Sequence, residues 1–423
     1  MPKGDVFSLS EVTSPMEDPK KCYEETLRFL DEHIGKDEEV EVAVSGGTDS
    51  HVVAYLLREA IGKRVRPVHI DHGFMRSIRG GPESEVVCGM FQDFPDFVYV
   101  NDVAERFYQA LEGLEDGDRK RAAFREVYTS VLTEQMERLG CSVTADGTIL
   151  PDIKETRQGV KLQHNVDLNF GAKKLEPLAA LSKQEVRALA RYMGVPTSVY
   201  LRQPFPGPGL QVRTVGKFSR QKLEVERAAD DIVRTAYEDF MLGQYGREML
   251  IDGETGMQVP FQYFAATFDG ASELPSPETI RKLQDALKST GCKYGSSRVL
   301  SSKATGISYD EAGKGHRVYS PPLLVLLDEI NVPELMKAAN RFCSENGFSR
   351  MIYTVSEGQS REMGYVVAIR SIDSVDVKHV NPTSVGMGSL PKAIGKKIAN
   401  QIPKVACVAY DITSKPPATV EYE

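Results

Sequence analysis

The sequence predicts an α/β protein: a parallel, doubly wound sheet over residues 22–212, then a smaller α+β module over 213–423. Three observations carry this. Short apolar strands alternate with helical stretches between residues 23 and 145, the order of a parallel sheet covered on both faces. One of those strands runs into a helix through the glycine-rich turn SGGTDS (45–50). The string QPFPGPGL (203–210) packs three prolines and two glycines into eight residues, a rigid turn cluster after which the order of elements changes.

Residues 1–21 read as a polar N-terminal extension, and YEETLRFLDEHI (23–34) has helical spacing. Val40, Val42 and Val44 alternate as a short strand, and HVVAYLLREAI (51–61) follows the turn as an amphipathic helix. RVRPVHI (64–70) and DFVYV (96–100) are the next strands, 119–139 a long charged helix, and CSVTA (141–145) a fourth strand. Past the proline cluster, 219–240 reads as a long helix. The stretch 241–320 is rich in Gly and Ser and is expected to be irregular. From 333 the order is helix, strand (MIYTVS), strand (YVVAIRSI), helix (389–402), strand (VACVAYDI).

Composition narrows the class. With 52 Lys+Arg against 60 Asp+Glu, the net charge of −8 argues against a protein that coats nucleic acid. The apolar run Leu323–Leu327 is far too short to span a membrane, and the first twenty residues hold no signal-type apolar stretch. Six scattered cysteines (22, 88, 141, 292, 343, 407) form no CxxC pair, so free thiols in a reducing cytoplasm are expected.

The chemistry centres on SGGTDS. Gly46 and Gly47 allow a tight turn and close backbone approach to an anion. The helix that follows aims open N–H groups at the same point, and Ser45, Thr48 and Ser50 add hydroxyls. Asp49 beside bound phosphates would be repelled unless Mg²⁺ bridged them. No GK[ST] follows, so this is not a Walker A loop. Five fixed letters of this kind arise by chance about once in a million positions.

SGGxDS after a strand resembles the loop of the N-type ATP pyrophosphatases, whose fold is the adenine nucleotide alpha hydrolase type. IDHGFMR (70–76), GTILPDIKET (147–156), KLQHNV (161–166), LEPLAALSKQEVRALARYMGVP (175–196), RQPFPGPGLQVR (202–213) and YDITSKPPATVEYE (410–423) follow in order. Together they resemble GMP synthase of the archaeal type, whose synthetase is separate from its glutaminase. The resemblance implies that ATP adenylates the C2 oxygen of XMP and that ammonia then displaces AMP. It implies catalytic roles for Asp49, Asp152, Glu155 and Lys183, with Asp49 on Mg²⁺ and Lys183 on the departing pyrophosphate. Asp71 and Gly73 would line the ATP site, and Arg76, Lys415, Val420 and Glu421 the XMP site. Lys161, His164 and Asn165 would belong to a mobile lid. A cytoplasmic homodimer, formed through the second module, is also implied.

Three departures stand out. Gln163 occupies the first histidine position of the lid string, and His51 replaces a small hydroxyl residue after SGGTDS. The second module carries extra residues near 266–301 and 328–360 and lacks the usual Met-Thr-Ala stretch. No GxCxG elbow of a class I glutaminase exists, so ammonia would come free or from a separate glutaminase subunit. Two other readings stay open on sequence alone: a paralogue that adenylates another acceptor, and a nucleotide-binding regulatory homologue without turnover.

Overall fold

The computed structural model describes residues 5–157, 172–252, 257–310, 313–360, 364–374 and 379–423, the side chains of 154–157 aside. The chain divides into two compact units. The first holds Met1–Met75, Pro82–Ala110 and Arg121–Pro208; the second holds Arg76–Gly81, Leu111–Lys120 and Gly209–Glu423.

The first unit is built on β1 (Val6–Ser8), α1 (Pro19–His33), β2 (Val40–Ala43), α2 (Thr48–Ile61), β3 (Val65–Ile70), α3 (Glu83–Met90), β4 (Val98–Val100), α4 (Ala104–Leu111), α5 (Gly117–Leu139), β5 (Val143–Ala145), α6 (Leu150–Arg157), β6 (Lys173–Glu176), α7 (Lys183–Tyr192) and α8 (Thr197–Tyr200). The six strands form one sheet in the order β1-β6-β5-β2-β3-β4. All five neighbouring pairs are parallel. From β2 the chain steps outward to β3 and β4, then returns to β5 and β6 on the other side. The strand order therefore reverses between β2 and β5, where sheets of this class bind ligands. Val40, Val42, Val52, Val53, Leu56, Leu57, Val143, Leu175, Val186 and Leu189 are buried in the core that sets these elements.

Part of the expected polar extension belongs to this sheet. Val6–Ser8 pair in parallel with Lys174–Glu176, and Ser8 Oγ donates to Glu176 Oε2 at 2.6 Å. Glu41 stands opposite Thr144 across β2 and β5, fully buried, and accepts from Thr144 Oγ1 at 2.6 Å. Its other oxygen has no partner, and burial pushes its carboxyl up to about 8.

The second unit has a nine-stranded mixed sheet. It contains β7 (Thr214–Val215), α9 (Arg220–Tyr245), β8 (Gln262–Phe268), β9 (Ser272–Glu273), α10 (Pro277–Lys288), β10 (Lys293–Leu300), β11 (Leu323–Glu329), α11 (Val332–Asn346), β12 (Met351–Glu357), β13 (Tyr365–Ser374), α12 (Leu390–Gln401) and β14 (Val405–Asp411). The path runs β9-β10-β11-β12-β14-β13-β8-β7, with Val380–Pro382 pairing beside β13. Val225, Ala229, Val233, Tyr237 and Met241, spaced four apart on α9, join the core with Tyr263, Ala265, Val367 and Ile369.

Two expectations change here. This unit is the larger of the two, and it includes residues 76–81 and 111–120 from the earlier part of the chain. The stretch 241–320 is not a run of loops: it supplies β8, β9, β10, α10 and an antiparallel pair, Ala304–Tyr309 with Gly315–Ser320. β10 escapes a pattern reading because most of its residues are small, polar or charged. β10, KYGSSRVL, buries only Ser297 and Leu300. Among the described residues no helix is long and apolar enough to cross a membrane.

Candidate active site

The loop after β2 has the shape its glycines suggest. Gly46 sits at φ +77°, in the left-handed region. A Cβ there would lie 2.5 Å from Val87 Cγ2 and 2.8 Å from Arg202 Nη1, so the position has room only for glycine. Gly47 is the N-cap of α2 and brings no side chain to satisfy the open N–H groups of the first turn. Ser45 is exposed; its Oγ accepts from Gly47 N at 3.4 Å and lies 3.5 Å from Ser50 Oγ. Thr48 is buried, with its hydroxyl committed to Val199 O at 3.2 Å. Arg202 Nη1 donates to Gly46 O at 2.8 Å while Nη2 pairs with the buried Glu83. The turn is thus gripped twice from residues 199–202.

Asp49, second residue of α2, meets Lys183, first residue of α7. Lys183 Nζ lies 2.7 Å and 2.8 Å from the two carboxylate oxygens. Ser182 and Glu185 form a reciprocal cap for α7. A cation at a helix N-terminus opposes the dipole, so helix stability does not explain Lys183 there. Gly147, just after β5, packs directly on this turn: a Cβ on it would come within 2.8 Å of Asp49 Cβ and 2.9 Å of Ser50 N. The loops after β2 and β5 therefore touch at the switch point. One turn after Lys183, Arg187 is only 9% exposed, and its Nε has no partner.

The neighbouring β3 leads to Asp71 and Gly73. Burial opposes ionisation of Asp71, but hydrogen bonds from Gly73 N–H, Ser84 and Tyr99 hold its carboxyl below the usual range. Gly73 sits at φ +80° with its carbonyl accepting from Tyr108 OH at 2.9 Å. Asp152 lies in the first turn of α6 and accepts from Ile149 N at 3.1 Å. Glu155 lies in the same helix, so the two acidic positions share a helical face; its side chain is outside the described residues. Lys161, Gln163, His164 and Asn165 also lie outside them. His51 is a core residue, stacked on Tyr55 and packed on Phe91, with burial lowering its pKa to about 4.

The XMP candidates all fall in the second unit. Arg76 is 3% exposed, within electrostatic reach of Glu238 and Tyr263. Lys415 is fixed through its backbone, which exchanges two hydrogen bonds with Val380 (2.9 and 3.2 Å). Val420 is half-buried beside Glu421. The Glu421 carboxylate receives Arg213 Nε and Nη2, each at 3.0 Å, and Arg213 also reaches Asp230 at 3.2 Å. Asp230 in turn holds Arg234, whose guanidinium binds Ser77 O. A run of charges thus links the residue after Arg76 to the tail. Arg350 and Arg370, both fully buried, share Asp411 at 2.9 Å each and hold the tail carbonyls of Glu421 and Thr419.

Sequence reading missed Arg187, Arg202, Glu83 and Arg213. Arg187 had a signal, four residues after Lys183 on one helical face. Arg202 and Glu83 are 119 residues apart and had none.

A glycine turn that opens a helix at the switch point of a parallel sheet has the form seen in α/β nucleotide-binding enzymes. Comparison with known proteins then narrows it. The family model "GMP synthase C terminal domain" matches residues 350–422. A subunit of the glutamine-hydrolyzing GMP synthase of Sulfurisphaera tokodaii is 33% identical over 416 residues, covering 96% of this chain and 99% of that protein. The corresponding GMP synthase subunit of Methanopyrus kandleri is 32% identical over 418 residues, covering 96% and 100%. The chain belongs to the family of these GMP synthase subunits, whose members are ligases. Among solved structures, the NH3-dependent NAD synthetase from Campylobacter jejuni is 19% identical with a TM-score of 0.35, over 43% of this chain and 76% of that one.

Proposed function

We propose that this chain catalyses the ATP-dependent amination of XMP to GMP, using ammonia from a separate glutaminase subunit. The observation that carries it is the open turn of residues 45–50, held at the switch point with Lys183 against Asp49. In this reading the N–H groups of Gly47 and the first turn of α2 bind the β- and γ-phosphates. The XMP C2 oxygen attacks the α-phosphorus, the bond to the β-phosphate oxygen breaks, and pyrophosphate leaves with its charge met by Lys183. Ammonia then adds at C2 and AMP departs with the oxygen, yielding GMP.

Among the described residues no group of three or more His, Cys, Asp or Glu could hold a metal unaided. One carboxylate with nearby hydroxyls, completed by phosphate oxygens, is nevertheless the donor set that suits Mg²⁺. Asp49 would hold it with Ser45 or Ser50 nearby, and it would supply neutralisation of the leaving pyrophosphate. Asp71 and Gly73 line the adenosine side, Asp152 and Glu155 act beside the adenylation step, and Lys161, His164 and Asn165 serve in the lid. Arg76, Lys415, Val420 and Glu421 hold XMP. Arg213 occupies two of the roughly four acceptor sites of the Glu421 carboxylate, which leaves others for the xanthine N–H edge. A cytoplasmic homodimer completes the reading.

The test is direct: purified chain with XMP, ATP, Mg²⁺ and ammonium should form GMP and AMP in equal amounts. AMP only with another acceptor would select the paralogue reading, and nucleotide binding without AMP the regulatory one. Release of ADP and orthophosphate would refute adenylation altogether.

A further inference from the structure

Arg187 is largely buried, and among the described residues no anion pairs with its charge. Its side chain sits on α7, one turn past Lys183, and the residue is 9% exposed. Its Nε is buried without a hydrogen-bond partner, and among the described residues no carboxylate lies within ion-pairing distance of its guanidinium. The one charge that acts on it is Asp49, and Asp49 is already engaged at 2.7 and 2.8 Å by Lys183. Buried guanidinium groups are otherwise paired. The second unit shows the rule, with Arg213, Arg350 and Arg370 each bound to carboxylates. An unpaired one is costly and persists where something outside the free chain completes it.

We infer that Arg187 is a second phosphate-binding cation of this site, contacting the pyrophosphate part of ATP and stabilising it as it leaves. The inference rests on the proposed reading of the 45–50 turn as the ATP phosphate site. Three observations converge on it. Lys183 and Arg187 project from one face of α7 by their i, i+4 spacing. Asp49 binds the first, leaving the second uncompensated. The anion that best satisfies a forked guanidinium is a phosphate oxygen pair. Lys183 and Arg187 would thus divide the work: one holds Asp49 in place until metal and nucleotide arrive, the other waits for the phosphates themselves.

The experiment compares Arg187→Met and Arg187→Lys with the unaltered chain, and with Lys183→Met as a control. Arg187→Met should raise the KM for ATP and the inhibition constant of pyrophosphate about tenfold or more, with the KM for XMP within about twofold. Because it removes an uncompensated buried charge, it should also increase resistance to denaturant. Arg187→Lys should restore part of the pyrophosphate affinity. ATP and pyrophosphate constants unchanged in Arg187→Met would overturn the inference. So would a less stable or unfolded Arg187→Met protein, since that is the behaviour of a purely structural arginine. If Lys183→Met also leaves ATP handling intact, the reading of the turn itself fails; if only Arg187→Met does, the turn stands and Arg187 drops out.

Discussion

Replacing Lys183 with methionine separates catalysis from stability. Its ammonium pairs with Asp49, but the two side chains are 34% and 26% exposed. A pair so open to water contributes at most about 1 kcal/mol. The helix dipole works against a cation at this position by about 0.3–1 kcal/mol, and methionine relieves that. The two terms nearly cancel, so Lys183→Met should unfold within about 1 kcal/mol of the unaltered chain. Activity should behave differently. Pyrophosphate leaves as a highly charged group, and removing a preorganised charge from such a site typically costs about 100- to 1000-fold in kcat, or about 2.7–4 kcal/mol. Chemical denaturation gives the first quantity; AMP release under saturating XMP, ATP and ammonium gives the second. A kcat within threefold of the unaltered value, or a stability loss as large as the activity loss, would show that Lys183 is a structural residue and break the argument.

Three further outcomes follow from the geometry. Gly73→Ala forces a side chain into φ +80°, with its Cβ 2.3 Å from Tyr108 Oη, and should cost about 2–4 kcal/mol by denaturant titration. Asp411→Asn leaves Arg350 and Arg370 sharing an uncharged partner in a dry site, for a loss of about 3–5 kcal/mol in the second unit's unfolding. Burial opposes ionisation of Asp411, yet the two arginines hold its folded pKa below the unfolded value; its stabilisation is therefore present above about pH 4 and disappears as pH falls further, which acid titration of unfolding should show. Glu41 runs the other way. With a folded pKa of about 8 against about 4.3 unfolded, its contribution is intact below about pH 4.3 and is lost as pH rises toward 8. Glu41→Gln should consequently stabilise the chain by about 1–3 kcal/mol at pH 8 and scarcely at all at pH 4.5.

Much of the first unit could be read from the chain because its signals are local. β2, the glycine turn and α2 are contiguous, and a strict apolar alternation passes into a helical one across six residues. α5 and α9 declare themselves by length, ending within five residues of their expected limits. What stayed hidden depends on partners distant in sequence. β1 is three residues that mean nothing until Lys174–Glu176 lie beside them. The grip of Arg202 on Gly46 spans 156 residues, and that of Arg213 on Glu421 spans 208. No periodicity reports such pairs. β10, within 241–320, was lost for another reason: Gly and Ser in a largely exposed strand look like loop composition.

The position of β14 bears on how the protein is made. This strand, the last among the described residues, lies inside the large sheet, parallel to β13 on one side and antiparallel to β12 on the other. Until Val405–Asp411 emerge from the ribosome, both neighbours present an open hydrogen-bonding edge lined with apolar side chains such as Ile352, Val367 and Ile369. The larger unit's sheet therefore stays unfinished until this strand has been made. A nascent chain paused before residue 405 is the species most exposed to mispairing and most in need of a chaperone.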